Sequence, residues 1–265
     1  MALDEALLRR LIETPAVSGR EERQREIANE VLGELTDSVR TDNMGSVIGT
    51  KNGSDDVRVM IAAHTDEIGF LVKHVDDKGF LRLQTLGGHD PANMVSQRVL
   101  VITSNGETLR GALQPSRKPP HLATAEDNKP PKTDEFYMDL GLDVEKVKER
   151  VRVGDYAVMD RTLERGGDNF IGKAMDDCIW VFVMYEALKE MGEHEATIHA
   201  VATSQEEVGL RGATASGAGL APTVMIALDV TLAMDIPGGG GENEITALGK
   251  GAAIKIMDSS LISHP

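Results

Sequence analysis

A short apolar run that ends in two adjacent glutamates limits the possible folds of this chain more than any other feature. Residues 197–203 read Thr-Ile-His-Ala-Val-Ala-Thr, a pattern typical of a buried strand. Glu206 and Glu207 follow, before a glycine-containing turn. Neighbouring side chains on a strand point to opposite sides, but the twist at a strand end lets both carboxylates reach one pocket. An acidic, solvated turn is the alternative interpretation of this pair taken alone.

A second apolar strand, residues 57–63, leads into His64 and Asp66. These two side chains are two positions apart, so they face the same side of an extended backbone. Asp66 is then able either to bind a metal or to accept the second ring N–H of His64 and fix its tautomer. Taken alone, this pattern is more typical of a core histidine beside a surface turn.

Three aspartates complete the set of candidate ligands. Asp176 and Asp177 precede the apolar stretch 179–188, where paired aspartates also serve as ordinary helix N-caps, and Asp229 ends the apolar run 222–228. Open α/β sheets collect ligands at the carboxyl ends of their strands, and hard or borderline divalent ions favour Asp, Glu and His. The combination predicts a hydrolase with two cooperating metal ions.

These segments resemble the four metal-site motifs of the M42 family of metallo-aminopeptidases, the glutamyl aminopeptidase and tetrahedral aminopeptidase type. Both the order of the motifs and their strand or helix context match. The motifs are His64-Thr65-Asp66-Glu67-Ile68-Gly69, Gly172-Lys173-Ala174-Met175-Asp176-Asp177, Ser204-Gln205-Glu206-Glu207-Val208-Gly209 and Ala227-Leu228-Asp229. The resemblance implies an enzyme that removes N-terminal residues from peptides through water activated by two metals.

The resemblance also implies a role for each candidate residue. The metal ligands would be four side chains: His64, Asp176, Glu207 and Asp229. Asp176 would bridge the two ions, which would be zinc or cobalt, two per subunit. Glu206 would be the general base, and Asp66 would orient His64. Asp177 would follow Asp176 across an unusual peptide bond, with the cis form as one option.

The chain departs from the family pattern in two places. Cys178 and Trp180 stand where the family usually has an arginine and a small residue, and we expect Trp180 to fill the core. Family members continue past the segment that resembles 262–265, with a last histidine that completes the second metal site. Within these 265 residues we therefore expect that site to lack one ligand. A catalytically incomplete fragment or assembly subunit is one alternative function, and a di-metal amide hydrolase or deacylase is another.

The pattern of elements predicts an α/β fold, and the family resemblance implies a mixed-sheet di-metal peptidase domain with helices on both faces. We expect residues 1–71 and 162–265 to form this catalytic domain and residues 72–161 to form a β-rich insertion. Asn105-Gly106 predicts a hairpin within the insertion. Ser18 and Glu21 predict a capping box at the start of a helix that carries Ile27, Val31 and Leu32.

The composition of the chain limits the classes of molecule that it is expected to bind. The formal charge of −15 argues against nucleic acid and anionic membrane surfaces, since both require basic patches. The single cysteine, Cys178, fits a reducing cytoplasm, and the first residues lack the pattern of a signal peptide. The family resemblance implies peptide substrates and self-association, first into dimers through the β-rich insertion and then into a hollow tetrahedral dodecamer.

Overall fold

The fold is that of a computed structural model, which describes residues 3–118, 120–122, 129–239, 241–243, 245–258 and 260–264. It is a mixed α/β fold, as predicted. The helices are α1 Glu5–Glu13, α2 Glu22–Leu35, α3 Pro91–Met94, α4 Val144–Arg150, α5 Met175–Glu190 and α6 Arg211–Leu220. Short 3-10 turns are Pro120–Leu122, Thr133–Glu135 and Gly241–Asn243.

The strands belong to a five-stranded sheet, a closed barrel and a two-stranded ribbon. The sheet strands are β1 Ser38–Thr41, β2 Val47–Lys51, β3 Arg58–His64, β12 Thr197–Thr203 and β13 Val224–Ala227. The barrel strands are β4 Gly69–Val75, β5 Leu81–Leu86, β6 Gln97–Ile102, β7 Thr108–Pro115, β8 Phe136–Asp139 and β9 Tyr156–Met159. The ribbon pairs β10 Glu164–Gly166 with β11 Asn169–Ile171.

The five-stranded sheet has the order β1-β2-β12-β3-β13. Strands β12 and β13 run parallel to β3, whereas β1 and β2 pair in antiparallel fashion. One face packs on α1, α2 and α5, because alternate strand residues such as Val47, Ala63 and Ala200 join their apolar core. The opposite face buries Met60, with α6 packed against it. Helices therefore cover both faces, as predicted.

The core also includes the two residues at the start of α5 that depart from the family pattern. Cys178 is buried among apolar side chains, and Trp180 is half-buried and packs against the same cluster. Trp180 thus contributes to the core, but part of its ring remains accessible.

The barrel is closed and antiparallel, with the order β4-β5-β8-β7-β6-β9. It has its own apolar core, which includes Phe70, Leu81 and Phe136. The predicted hairpin at Asn105-Gly106 is confirmed, since β6 and β7 flank this turn in antiparallel register. The barrel lies in the chain between β3 and α5, but the exact domain boundaries at 71/72 and 161/162 stay a prediction.

Residues Val230–Pro265 form a separate compact unit. Among its described residues, regular pairing is limited to an antiparallel bridge between Met257 and Ile262 and the 3-10 turn given above. Hydrogen bonds such as Met234 N–H to the Thr246 carbonyl, at 2.8 Å, hold this unit together locally. In the ranges that the structure describes, no helix is long and apolar enough to cross a membrane.

Candidate metal centre

The candidate ligands meet at one edge of the five-stranded sheet because three of its strands run in the same direction. Thr203 of β12 is in register with His64 of β3, and Ala227 of β13 is in register with Ala62. The segments after these strands therefore start side by side. Helix α5 packs against β3, and the Asp176-Asp177 pair in its first turn reaches His64. The expectation that ligands gather at strand carboxyl ends is confirmed by this arrangement of the backbone.

The side chains converge on His64. Its Nε2 lies 3.0 Å from Asp176 Oδ1 and 3.8 Å from Glu206 Oε2. His64, Asp176 and Asp229 can each offer a ligand atom within 4.8 Å of one another, and so can His64, Glu206 and Glu207. The structure thus brings together all the predicted ligands and the predicted base. Their individual roles stay predictions.

Asp66 has a different place from the one expected. His64 Nδ1 lies 2.9 Å from the backbone carbonyl of Asp66 but 3.6 Å from its carboxylate. A carbonyl only accepts, so Nδ1 carries a proton, and Nε2 is the nitrogen that faces the carboxylates. The main chain of Asp66 is therefore the acceptor for His64 Nδ1, and the orienting role of Asp66 stays a prediction.

The Asp66 carboxylate instead holds the turn after β12. It accepts the backbone N–H groups of Glu206, at 3.0 Å, and Glu207, at 3.2 Å. The Ser18 hydroxyl donates to it at 2.6 Å. Burial alone would raise the pKa of Asp66, but His64, Ser18 and the Glu206 amide hold it below the ordinary value. The group is therefore an ionised acceptor that fixes both glutamates.

The two aspartates at the start of α5 are joined by a cis peptide bond, one of the forms that the family resemblance implies. Asp177 is fully buried, and one carboxylate oxygen accepts the backbone N–H of His64 at 3.1 Å. Both aspartates have non-helical backbone angles, so α5 is kinked at this pair. One carboxylate oxygen of each faces His64 of β3, and no hydrogen bond found among the described residues links an α5 N–H to either carboxylate, which does not support the N-cap interpretation.

The chemistry of this donor set suits a divalent cation. Burial, with Asp229 and Asp176 adding repulsion, raises the pKa of Asp177 to about 9. Burial and neighbouring carboxylates likewise raise the pKa of Glu207 to about 7. The second oxygen of Asp177 has no hydrogen-bond partner among the described residues. Crowded carboxylates beside an imidazole nitrogen are stabilised by positive charge, so the residues fit a metal of the kind that Asp, Glu and His bind.

Four supporting residues were not identified as part of the site from the sequence. The predicted capping box is wrong, because the Ser18 hydroxyl binds Asp66 and Glu21 makes no side-chain cap for α2. Lys173 and Glu67 form a buried ion pair, with Nζ and Oε1 2.5 Å apart. Both lie within the motifs quoted above, but nothing local in the sequence indicates that they contact each other.

A mixed α/β fold with Asp, Glu and His donors gathered at its strand ends defines a metal-dependent hydrolase. The family model described as M42 glutamyl aminopeptidase matches residues 45–265, and the chain belongs to that family. It is an enzyme of the aminopeptidase class, as predicted. The lysyl aminopeptidase of Pyrococcus furiosus is 35% identical over 262 residues, which cover 96% of this chain and 73% of that protein.

Solved structures agree with this assignment. An aminopeptidase from the archaeon Desulfurococcus kamchatkensis is 40% identical with a TM-score of 0.92, over 98% of this chain and 73% of that one. The TET1 peptidase of Pyrococcus horikoshii is 28% identical with a TM-score of 0.78, over 88% of this chain and 72% of that one. It is described as assembling into a tetrahedron or a large octahedral shell.

Proposed function

We propose that this chain releases N-terminal residues from peptides by hydrolysis with two divalent ions, zinc or cobalt. The observation that carries the proposal is the convergence of donor atoms from three strand ends and a helix start around His64 Nε2. The ions would be held by four side chains: His64, Asp176, Glu207 and Asp229. When bound, such ions polarise a scissile carbonyl and lower the pKa of a water molecule.

Glu206 is suited to accept the proton of the attacking water. Its carboxylate lies beside the ligands, and its backbone is fixed by Asp66. Burial, together with repulsion from Asp229, Asp66 and Asp176, raises the pKa of Glu206 above its ordinary value. A higher pKa brings a carboxylate closer to the range in which a general base works best at neutral pH. Glu206 would then pass the proton to the leaving amine.

The excess of carboxylates also suits the free α-ammonium group of a peptide. The Asp176 side chain is 57% exposed, so the carboxylate cluster is open to solvent on that side. An N-acetylated substrate lacks this positive charge and would lose the attraction. We therefore expect aminoacyl anilides to be hydrolysed and N-acetylated amino acids to be left intact. The reverse preference would favour the deacylase alternative.

The test of the mechanism is Glu206→Gln, which removes the proton acceptor but keeps the size of the side chain. We expect turnover of an aminoacyl anilide to fall by about 10²–10⁴-fold, the usual contribution of a general base. Metal content by elemental analysis should stay at the parent value. Glu193→Gln, at an exposed glutamate, is the matched control. Retained turnover in Glu206→Gln would contradict the assignment of the base.

Self-association is part of the proposal. The TET1 peptidase of P. horikoshii, described as assembling into a tetrahedron, resembles this chain in fold, and we propose a dimer through the barrel and a tetrahedral dodecamer built from dimers. Light scattering after gel filtration at micromolar concentration should give the mass of the dodecamer or of its dimer. A monomer alone would contradict the proposed self-association.

The single, buried cysteine is compatible with the cytoplasmic location that we propose.

A further inference from the structure

The connector between α1 and α2, residues 15–21, lies against the metal centre although it is outside the family match, which begins at residue 45. Ala16 and Val17 are fully buried. Val17 forms a parallel bridge with Glu67, and the Glu67 N–H donates to the Ala16 carbonyl at 2.9 Å. The connector is thus joined by main-chain hydrogen bonds to the segment that carries His64 and Asp66.

The connector also reaches the turn of the two glutamates. Three successive backbone N–H groups in this turn, those of residues 205–207, are each accepted by a carboxylate. Gln205 N–H donates to Glu21 Oε1 at 3.0 Å, and the next two N–H groups donate to Asp66. Glu21 Oε1 also accepts the Gly19 N–H at 2.7 Å. Two buried carboxylates from different parts of the chain therefore hold one short turn.

This turn needs external support. Gln205 has a φ of 54°, in the left-handed region that non-glycine residues rarely adopt. Such a conformation persists only where the surroundings fix it. Glu21 is 3% exposed, so its carboxylate is shielded from water and does not exchange its backbone partners for solvent.

We propose that Glu21 is a positioning residue for the metal centre, whose carboxylate fixes the Gln205 N–H and so sets the direction of the Glu206 and Glu207 side chains. The hydrogen bond and its effect on the turn are independent of the proposed function. The consequence for turnover rests on that function. Side chains that hold metal ligands or catalytic groups in this way typically contribute 10–100-fold to metal affinity or activity.

Three substitutions separate the hydrogen bond from the charge. Glu21→Ala removes both, and Glu21→Gln keeps an oxygen that can accept both N–H groups. Glu21→Asp keeps the charge but withdraws the oxygen by one methylene. Glu22→Ala is the matched control, since Glu22 is the next residue and its side chain is 61% exposed.

The first measurement is hydrogen exchange of the full chain. We expect the Gln205 N–H to exchange about tenfold faster in Glu21→Ala and Glu21→Asp, the effect of losing one hydrogen bond of ordinary strength. Glu21→Gln and Glu22→Ala should match the parent. The Val181 N–H in α5 is the internal reference for global stability. Equal exchange at Gln205 in all four variants would overturn the proposal, whatever the enzyme hydrolyses.

The second measurement is the dissociation constant for zinc, from competition with a chelator, together with kcat and KM for an aminoacyl anilide. We expect Glu21→Ala and Glu21→Asp to bind zinc about 10–100-fold more weakly or to lose kcat by a similar factor. Glu21→Gln should stay within about threefold of the parent. If Glu21→Ala does not fold, the comparison between Glu21→Asp and Glu21→Gln tests the proposal. Weaker zinc binding or lower kcat in Glu21→Gln, with parent values in Glu21→Asp, would overturn it. An inactive parent chain would contradict the proposed function, not the exchange result.

Discussion

Gly87 lies against the Glu207 side chain, where the loop after β5 reaches the carboxylate cluster. A Cβ atom at Gly87 would come within 2.7 Å of Glu207 Oε2 and 2.6 Å of Ile68 Cγ2, and the φ of Gly87 is +74°. Both the space and the backbone conformation therefore favour glycine at this position.

We expect Gly87→Ala to displace Glu207 and to weaken zinc binding by about tenfold or more, since positions that support a ligand contribute on this scale. The adjacent Gly88→Ala is the matched control, because a Cβ there would meet nothing within 4 Å. Chelator competition measures both variants. Equal affinities would show that Glu207 moves away without cost, or that it does not bind the ion.

At the same scale, the sequence was sufficient to identify the candidate ligands and the candidate base, but not the residues that support them. His64, Glu206 and Glu207 follow apolar runs, so their positions could be inferred from local patterns. The partners of Ser18 and Glu21 are 48 and 184 positions away, and no local pattern encodes such distances. A serine three residues before a glutamate predicts a helix cap when only the local sequence is considered.

At the scale of elements, the buried Lys173–Glu67 pair joins the segment before α5 to the segment after β3. The two side chains are only 4% and 5% exposed, and Glu67 also accepts the Ala16 N–H at 3.4 Å. Burial raises the pKa of Glu67 above its ordinary value, and Lys173 offsets only part of this shift. The ion pair therefore holds the start of α5 close to the segment that follows β3.

We expect Lys173→Met to lower the free energy of unfolding by about 3–5 kcal/mol, because it leaves the Glu67 charge buried and unpaired. Adding Glu67→Gln should recover most of this loss, since the uncompensated charge is gone. Denaturant unfolding measures both. Arg165→Met, at the exposed Arg165–Glu5 pair, is the control and should cost less than about 1 kcal/mol. A loss in Lys173→Met no larger than in this control would show that the pair is not effectively buried.

Helices and turns were predicted correctly where a local sequence pattern indicates them. The periodic positions Ile27, Val31 and Leu32 are the buried side of α2, and the Asn105-Gly106 turn joins two paired strands. Closure of the barrel was not predicted, because it depends on β9 pairing with both β4 and β6. Pairing between strands far apart in the chain is selected by the packing of side chains in the finished fold and has no local signature.

At the scale of the whole molecule, negative charge is concentrated as well as abundant. The chain has 43 acidic and 28 basic residues, and several of its carboxylates crowd around His64. Burial alone would lower the pKa of His64, but Asp176 and Asp66 raise it well above its ordinary value. The charges of these side chains therefore couple the stability of the fold to pH and to metal binding.

The sign of this coupling follows from the folded-state pKa values. Those of Glu207, about 7, and Asp177, about 9, lie above their ordinary values of 4.5 and 3.8, so the folded state keeps protons that the unfolded chain releases. The free energy of unfolding of the metal-free protein should therefore fall as the pH rises through about 7 and towards about 9. The raised His64 pKa acts in the same direction, because the stabilisation from its proton is lost as the pH rises.

Bound zinc replaces these protons with a charge that does not titrate, and we expect it to remove most of this pH dependence. The difference in Tm between the zinc-loaded and the chelator-treated protein should therefore grow steadily from pH 6 to pH 8.5. Thermal unfolding at fixed ionic strength measures this difference in Tm. Asp177→Asn removes the carboxyl group with the largest pKa shift, so the Tm of the metal-free variant should depend less on pH. A difference that is constant or shrinks with pH would mean that the cluster does not bind the ion.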